Sequence, residues 1–350
     1  MALRTSLRAG IGALALVASS AGLVAFSGPA AQAHSGPTAR PMPAQVFAPY
    51  FEAYNGDDPV ALSKESGAKY LVFAFIQTAS AGSCTAYWNG STSQPLTKAN
   101  FGSDIAKIQA SGGNVVASFG GYAADSTGTD IADSCASVSS IASVYENVIT
   151  TYNLSRIDLD IEADSLTNTA GITRRDQAVA QVEAWAKKKH RTVQFTYTIP
   201  SATTGLGATG VAVVQDAKAQ GAVITAVNAM TFDYYIGTTQ EMATDTETAG
   251  QGVYNQLKAI YPHDSSRQLW GMIGITEMPG IDDFGAAETF TQADAKTVLK
   301  WAEAKGINTL SFWALQRDNG GCPGTSGAGT CSGIAQSTWY FSHLFERFTS

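Results

Sequence analysis

The chain has 350 residues, 45% of them hydrophobic and 15% charged, with a formal charge of −7 at neutral pH. That is enough apolar material for a large buried core, and the acidic balance argues against nucleic acid or an anionic membrane surface as a partner. A neutral polymer is indifferent to that charge, and the four cysteines and four histidines show no CxxC or HExxH spacing, so no metal or other cofactor is implied.

Residues 1–33 read as a signal peptide. Arg4 and Arg8 make a positive start, Ala9 to Phe26 is mostly apolar, and Ala31-Gln32-Ala33 has the A-x-A form of a cleavage site. An uncleaved membrane anchor is the competing reading. No second run is long and apolar enough to span a bilayer, so the expectation is a secreted, extracellular protein. Removing the segment takes away two arginines and no acid, leaving 20 − 29 = −9. Residues 34–43 are expected to be a flexible lead-in and 44–350 a single domain, working as a monomer.

Within that domain, eight β-rich apolar runs alternate with helix-like segments. The first four are VFAPYF from Val46, YLVFAFIQ from Tyr70, NVVASFGG from Asn114 and RIDLDIEA from Arg156. The others are VQFTYTIP from Val193, AVNAMTFDYY from Ala226, LWGMIGITEM from Leu269 and TLSFWALQRD from Thr309. Helices are expected over Ser137–Tyr152, Thr173–Lys189 and Thr291–Lys305. In the last, Thr291 is placed to cap, Asp294 stands three residues on, and Gly306 follows the end. Eight strands alternating with helices predict an α/β fold with a parallel sheet closed into a (β/α)8 TIM barrel; an open doubly wound sheet is the alternative. The Ser/Gly/Thr-rich stretches that follow several strands would then form the rim where barrel active sites lie. Four cysteines in an exported chain point to two disulfides. Cys322 and Cys331 flank one Gly-rich loop and form the obvious local pair, which leaves Cys84 with Cys135 among the three possible pairings.

The run RIDLDIEA carries its acids at every second position. Strand side chains alternate faces, so Asp158, Asp160 and Glu162 share one face while Ile157, Leu159 and Ile161 share the other. In a barrel the apolar set packs under the helices and the acids point inward, with Glu162 nearest the rim. Barrel interiors are usually filled by branched apolar side chains, so three acids there are anomalous. A buried ion-pair network or cation site is one explanation, although the only adjacent basic residue is Arg156. Coupled carboxylates also split their pKa values, which keeps one protonated at neutral pH as a general acid needs.

Here the chain resembles glycoside hydrolase family 18, the chitinases and their relatives. The run is similar to the family's DxxDxDxE signature, with Ser155 where the first Asp would be. Ser118-Phe-Gly-Gly121 resembles its SxGG, and Met230-Thr-Phe-Asp-Tyr234 its pattern on the sixth strand. Gly274 to Asp283 and Ser311 to Asp318 look like the last two strands of the bacterial chitinase D-like branch. The resemblance implies endo-hydrolysis of β-1,4 bonds between N-acetylglucosamine units, with retention, the substrate's acetamido group serving as nucleophile. It casts Glu162 as proton donor and Asp160 as the group orienting the acetamide. Asp158 shares a proton with Asp160, and Ser118 hydrogen-bonds beneath. Asp233, Trp313 and Tyr50 are assigned to sugar binding, Trp313 as an apolar floor. Phe232 stands where many members have a tyrosine, so Tyr234 or Tyr197 is expected to supply that hydroxyl. Chitin or its oligosaccharides are the implied partner. An endo-β-N-acetylglucosaminidase acting on N-glycans and a catalytically silent carbohydrate-binding barrel are the alternatives.

Overall fold

The protein is described here by a computed structural model covering residues 40–349. The expected signal peptide and most of the expected lead-in lie outside the described residues. The end of that lead-in is already part of the fold. Met42 is buried, the Arg40 guanidinium donates to Gly112 O at 2.9 Å, and Asn114 and Ser155 side chains both donate to Arg40 O. Ser155, the departure from the acidic signature, is thus fully satisfied by hydrogen bonds at the barrel floor.

The parallel sheet closes on itself. The first segment is split by Pro49, and its halves pair in opposite directions around the ring: Val46–Phe47 with Thr309–Leu310 of the eighth strand, and Tyr50–Glu52 with Val72–Ala74 of the second. Between them run Tyr70–Thr78, Asn114–Gly120, Arg156–Asp160, Gln194–Ala202, Ile224–Met230, Ile273–Glu277 and Thr309–Phe312, each parallel to the next. This is the predicted barrel. Its helices follow local signals: Val138–Tyr152 starts behind the Ser137 cap, and Gln292–Lys305 has the capping box of Thr291 and Asp294 and ends at Gly306 in the left-handed region.

One expected strand starts later than its sequence suggests. Leu269 and Trp270 belong to a helix, Ser266–Trp270, because Ser265 and Gln268 form a capping box that turns the chain first. A hairpin not foreseen, Gly280–Asp282 with Gly285–Phe290, follows the seventh strand.

Two apolar regions frame the sheet. The large one fills the space between strands and helices and holds Ile157, Leu159, Ile161 and Tyr197. The small one lies inside the barrel and comes from one side only, with Val46, Ala48, Tyr50, Tyr70, Val72, Ala74 and Val116. The other half of the interior, from the fourth to the seventh strand, is polar: Asp158, Thr196, Thr198, Asn228 and Thr276 are all buried there. Most of these buried polar groups pair with one another: Asn228 Nδ2 donates to Thr198 at 3.0 Å and Thr276 at 2.7 Å, although its Oδ1 has no partner.

Both predicted disulfides form. Cys84 joins Cys135, and Cys322 joins Cys331, with Cα separations of 4.6 and 5.9 Å. Among the described residues no helix is long and apolar enough to cross a membrane.

Candidate active site

A cleft of about 800 Å³ opens at the C-terminal ends of the strands. Asp160, Glu162, Asp233, Trp313 and Tyr50 all line it, as the sequence predicts. The alternation of the fourth strand does what its pattern requires. Asp158 sits one layer down, on a cavity of about 20 Å³, while Asp160 and Glu162 reach the cleft.

Asp158 is the hub of the interior. Ser118 Oγ at 2.7 Å and Tyr50 Oη at 3.0 Å donate to its Oδ2; Thr196 and Thr198 hydroxyls donate to its Oδ1, both at 2.8 Å. Burial still pushes its carboxyl upward, against those four hydrogen bonds. Asp160 is in a different position. Its Oδ1 is buried without a hydrogen-bond partner, and burial, then Glu162, then Asp158 hold its pKa well above the carboxylate range. Burial and the two neighbouring acids thus all disfavour the charged form of Asp160. The Asp158 oxygens are occupied by hydroxyls, so a proton on Asp160 is held by the surrounding field more than by a link to Asp158.

Glu162, partly buried at the rim, is pushed up to about 7 by burial and by Asp283, against a hydrogen bond from the Tyr122 backbone N–H. A carboxylic acid near neutrality can both give and take a proton at working pH.

Two glycines fix the approach to these acids. A Cβ on Gly120 would lie 2.1 Å from Asp160 O, and one on Gly121 would lie 2.7 Å from the Phe75 ring. Both have positive φ, so the SFGG run admits no side chain at either position.

Trp313 stacks on Phe75, with ring centroids 5.6 Å apart and planes 12° apart, and meets Tyr50 at 5.7 Å. With Met230 and Phe232 it makes the apolar part of the cleft, a surface suited to the C–H face of a sugar ring. Asp233 stands across from the acids with φ of 52°. Its N–H donates to Asp282, its Oδ1 accepts from the Asp283 N–H at 3.1 Å, and burial and Asp283 raise its pKa to about 6.

The two tyrosines expected to replace the missing hydroxyl both face elsewhere. Tyr197 is fully buried among the helices, donating to Asp176 at 2.6 Å. It alternates with Thr196 and Thr198, which face Asp158, so it necessarily points outward; the two threonines on either side were the signal. The Tyr234 hydroxyl is buried beside Glu277 and Asp245 and is absent from the cleft lining. Its exposed neighbour Tyr235 lines the cleft and meets Phe284 edge-on at 4.9 Å.

Sequence reading also missed acids that only the fold assembles. Asp283, from the loop of the unforeseen hairpin, lines the cleft and acts on Glu162. The loops after the sixth and seventh strands thus bring two further carboxyl groups, Asp233 and Asp283, into the cleft that holds Glu162. Asp125 accepts the Glu162 backbone N–H. Among the described residues no group of three or more His, Cys, Asp or Glu is arranged to hold a metal ion.

Comparison with known proteins agrees with this geometry. The sequence profile of the glycosyl hydrolases family 18 matches residues 46–266, more than half of the chain. The chain is 29% identical over 320 residues to the probable bifunctional chitinase/lysozyme of Escherichia coli (strain K12), covering 88% of this chain and 35% of that protein. It is 30% identical over 288 residues to Endochitinase 11 of Metarhizium anisopliae, covering 79% of this chain and 53% of that protein. The chain thus spans about a third and about half of these two relatives. Among solved structures, the catalytic domain of the hyperthermophilic chitinase from Pyrococcus furiosus superposes with a TM-score of 0.77 at 32% identity, over 89% of this chain and 97% of that one. Catalytic-site mutants of active domain 2 of that organism's chitinase, complexed with chito-oligosaccharides, superpose at 0.76 and 31% identity, with the same coverage of 89% and 97%. The chain belongs to glycosyl hydrolase family 18.

Proposed function

We propose that the protein is a secreted, endo-acting chitinase that hydrolyses β-1,4 bonds between N-acetylglucosamine units with retention of configuration. The observation that carries this reading is the orphaned Asp160 Oδ1, buried at the floor of the cleft between the hydrogen-bonded Asp158 and a Glu162 pushed up to about 7. A buried polar atom without a partner needs one from outside the chain, and the N–H of a substrate acetamido group is of the right kind. With that N–H held, the acetamido carbonyl oxygen attacks the anomeric carbon while Glu162 protonates the leaving oxygen. The C–O bond to the leaving sugar breaks as the new C–O bond forms. Water, deprotonated by Glu162, then opens the ring intermediate. Positive charge on that intermediate lies beside Asp160.

Tyr50 is held by its hydrogen bond to Asp158, and Trp313 supplies the apolar floor. Chitin is favoured over an N-glycan because the named relatives are chitinases. Export is supported by the amino-terminal pattern of residues 1–33 and by two disulfides. Endo-action is supported by the name of the fungal relative alone.

One comparison tests the reading. The protein is offered chitin hexamer and a high-mannose glycopeptide in parallel. Cleavage of the hexamer at internal bonds is expected; release of the glycan with an intact hexamer would replace the reading with an endo-β-N-acetylglucosaminidase.

A further inference from the structure

We infer that Asp125, on the short helix Tyr122–Thr127 behind the cleft wall, is a positioning residue for Glu162: its carboxyl oxygen holds the Glu162 peptide where the sheet can no longer do so. The inference rests on the reading of Glu162 as the acid.

The register of the sheet shows the need. Gly120 lies opposite Asp160, and the Gly121 N–H donates to Asp160 O at 3.2 Å, so that edge of residue 160 faces the third strand. Ile161 N–H donates to Thr198 O at 2.8 Å, on the fifth-strand side. By alternation the Glu162 N–H faces the third strand again. The third strand has ended there, because the chain turns at Gly121 into the short helix. Asp125 Oδ2 occupies the vacated acceptor position and takes the Glu162 N–H at 2.5 Å. The Tyr122 N–H of the same helix lowers the Glu162 pKa, so one helix acts on both the backbone and the carboxyl of the residue. The hold on the backbone is needed, because the next residue, Ala163, has a φ of 38°, which a non-glycine residue keeps only when its surroundings enforce it.

Asp125 is itself buried, and its Oδ1 has no partner within the protein. The charged and titratable groups acting on it are Asp130, Arg175, Glu162 and Asp160. Burial and then Asp130 push its carboxyl up to about 9, so at neutral pH it accepts the N–H as an uncharged acid. It then adds no negative charge behind Glu162. Asparagine reproduces both the acceptor and the neutrality; leucine keeps the volume and removes the acceptor.

The test compares Asp125→Leu and Asp125→Asn on chitin hexamer. Misplacing the acid should cut kcat about 10- to 100-fold in Asp125→Leu with KM changed by less than about twofold, and Asp125→Asn should restore most of the loss. Wild-type kcat in Asp125→Leu would overturn the proposal, as would an Asp125→Asn enzyme equally slow, since the carboxylate charge would then be what matters. The amide proton of Glu162 gives a readout free of substrate. A downfield shift in the wild type and in Asp125→Asn is expected, and a random-coil shift in the wild type would overturn the proposal even if Asp125→Leu does not fold. A wild type inactive on the hexamer with a downfield Glu162 amide would instead place the failure in the chitinase reading.

Discussion

Ser118 and Asp158 lie directly opposite each other in the register of the third and fourth strands, and the Ser118 hydroxyl donates to Asp158 Oδ2 at 2.7 Å. That hydroxyl is one of four lowering the Asp158 pKa. Replacing Ser118 by Ala should remove about 0.5–1.5 kcal/mol from stability and raise the Asp158 pKa, which weakens the negative field that Asp158 exerts on Asp160. Turnover of chitin hexamer should fall several-fold, by about the same free energy, with the fold intact. Unchanged turnover and melting temperature would show that Ser118 only fills space.

Glu162→Gln keeps the shape of the acid and removes its proton. Loss of a general acid should slow turnover by about 10²- to 10⁴-fold, with the circular dichroism spectrum unchanged. Near-wild-type turnover of the hexamer would exclude Glu162 from the chemistry.

The cleft holds two possible sources of a nucleophile, the substrate's acetamide and the carboxyl groups of Asp233 and Asp283 across from Glu162. Proton NMR in the first minutes of reaction should show the β-anomer at the new reducing end, as either double displacement requires. Fully deacetylated chitosan separates the two. It should be cleaved far more slowly than the acetylated polymer, and rapid cleavage would assign the nucleophile to the enzyme.

Raised carboxyl pKa values also set the pH behaviour. Glu162 at about 7 predicts that kcat/KM falls as pH rises through neutrality, because the proton donor is lost. For stability the groups are Asp125, pushed by burial to about 9, Asp176 to about 8 and Glu162 to about 7. In the unfolded chain each releases its proton near pH 4. Between those values the folded state binds more protons than the unfolded one, so stability falls as pH rises from about 4 towards 9. Calorimetry at pH 5, 7 and 9 should give a descending series of melting temperatures. An ascending series would mean these acids are ionised in the fold.

Tyr197 bonds Asp176 among the helices and is remote from the cleft. Tyr197→Phe should lower stability by about 1–3 kcal/mol, because the buried Asp176 loses a donor, and leave KM for the hexamer unchanged. A raised KM with unchanged stability would return Tyr197 to the sugar site.

Eight parallel strands and the shared face of the acids on the fourth were legible in the sequence, while closure into a barrel was decided by the split first segment pairing on both sides. The strands and the shared face depend on local periodicity: side chains alternate along a strand, so RIDLDIEA separates its acids from its apolar residues however the rest folds. The Cys322–Cys331 pairing and the cap of the last long helix were legible for the same reason, since nine or fewer residues separate the groups concerned. The tyrosine assignments failed because proximity to a motif says nothing about which face a side chain takes; Tyr197 is one residue from two threonines that do reach Asp158. Only the tertiary structure placed Asp125 under Glu162 and Asp283 across from it, 37 residues away in the first case. It also decided that the Asp160 carboxyl is pushed well above its ordinary range, because burial and neighbouring charge, the causes of that shift, are properties of the assembled barrel and not of any single run of sequence.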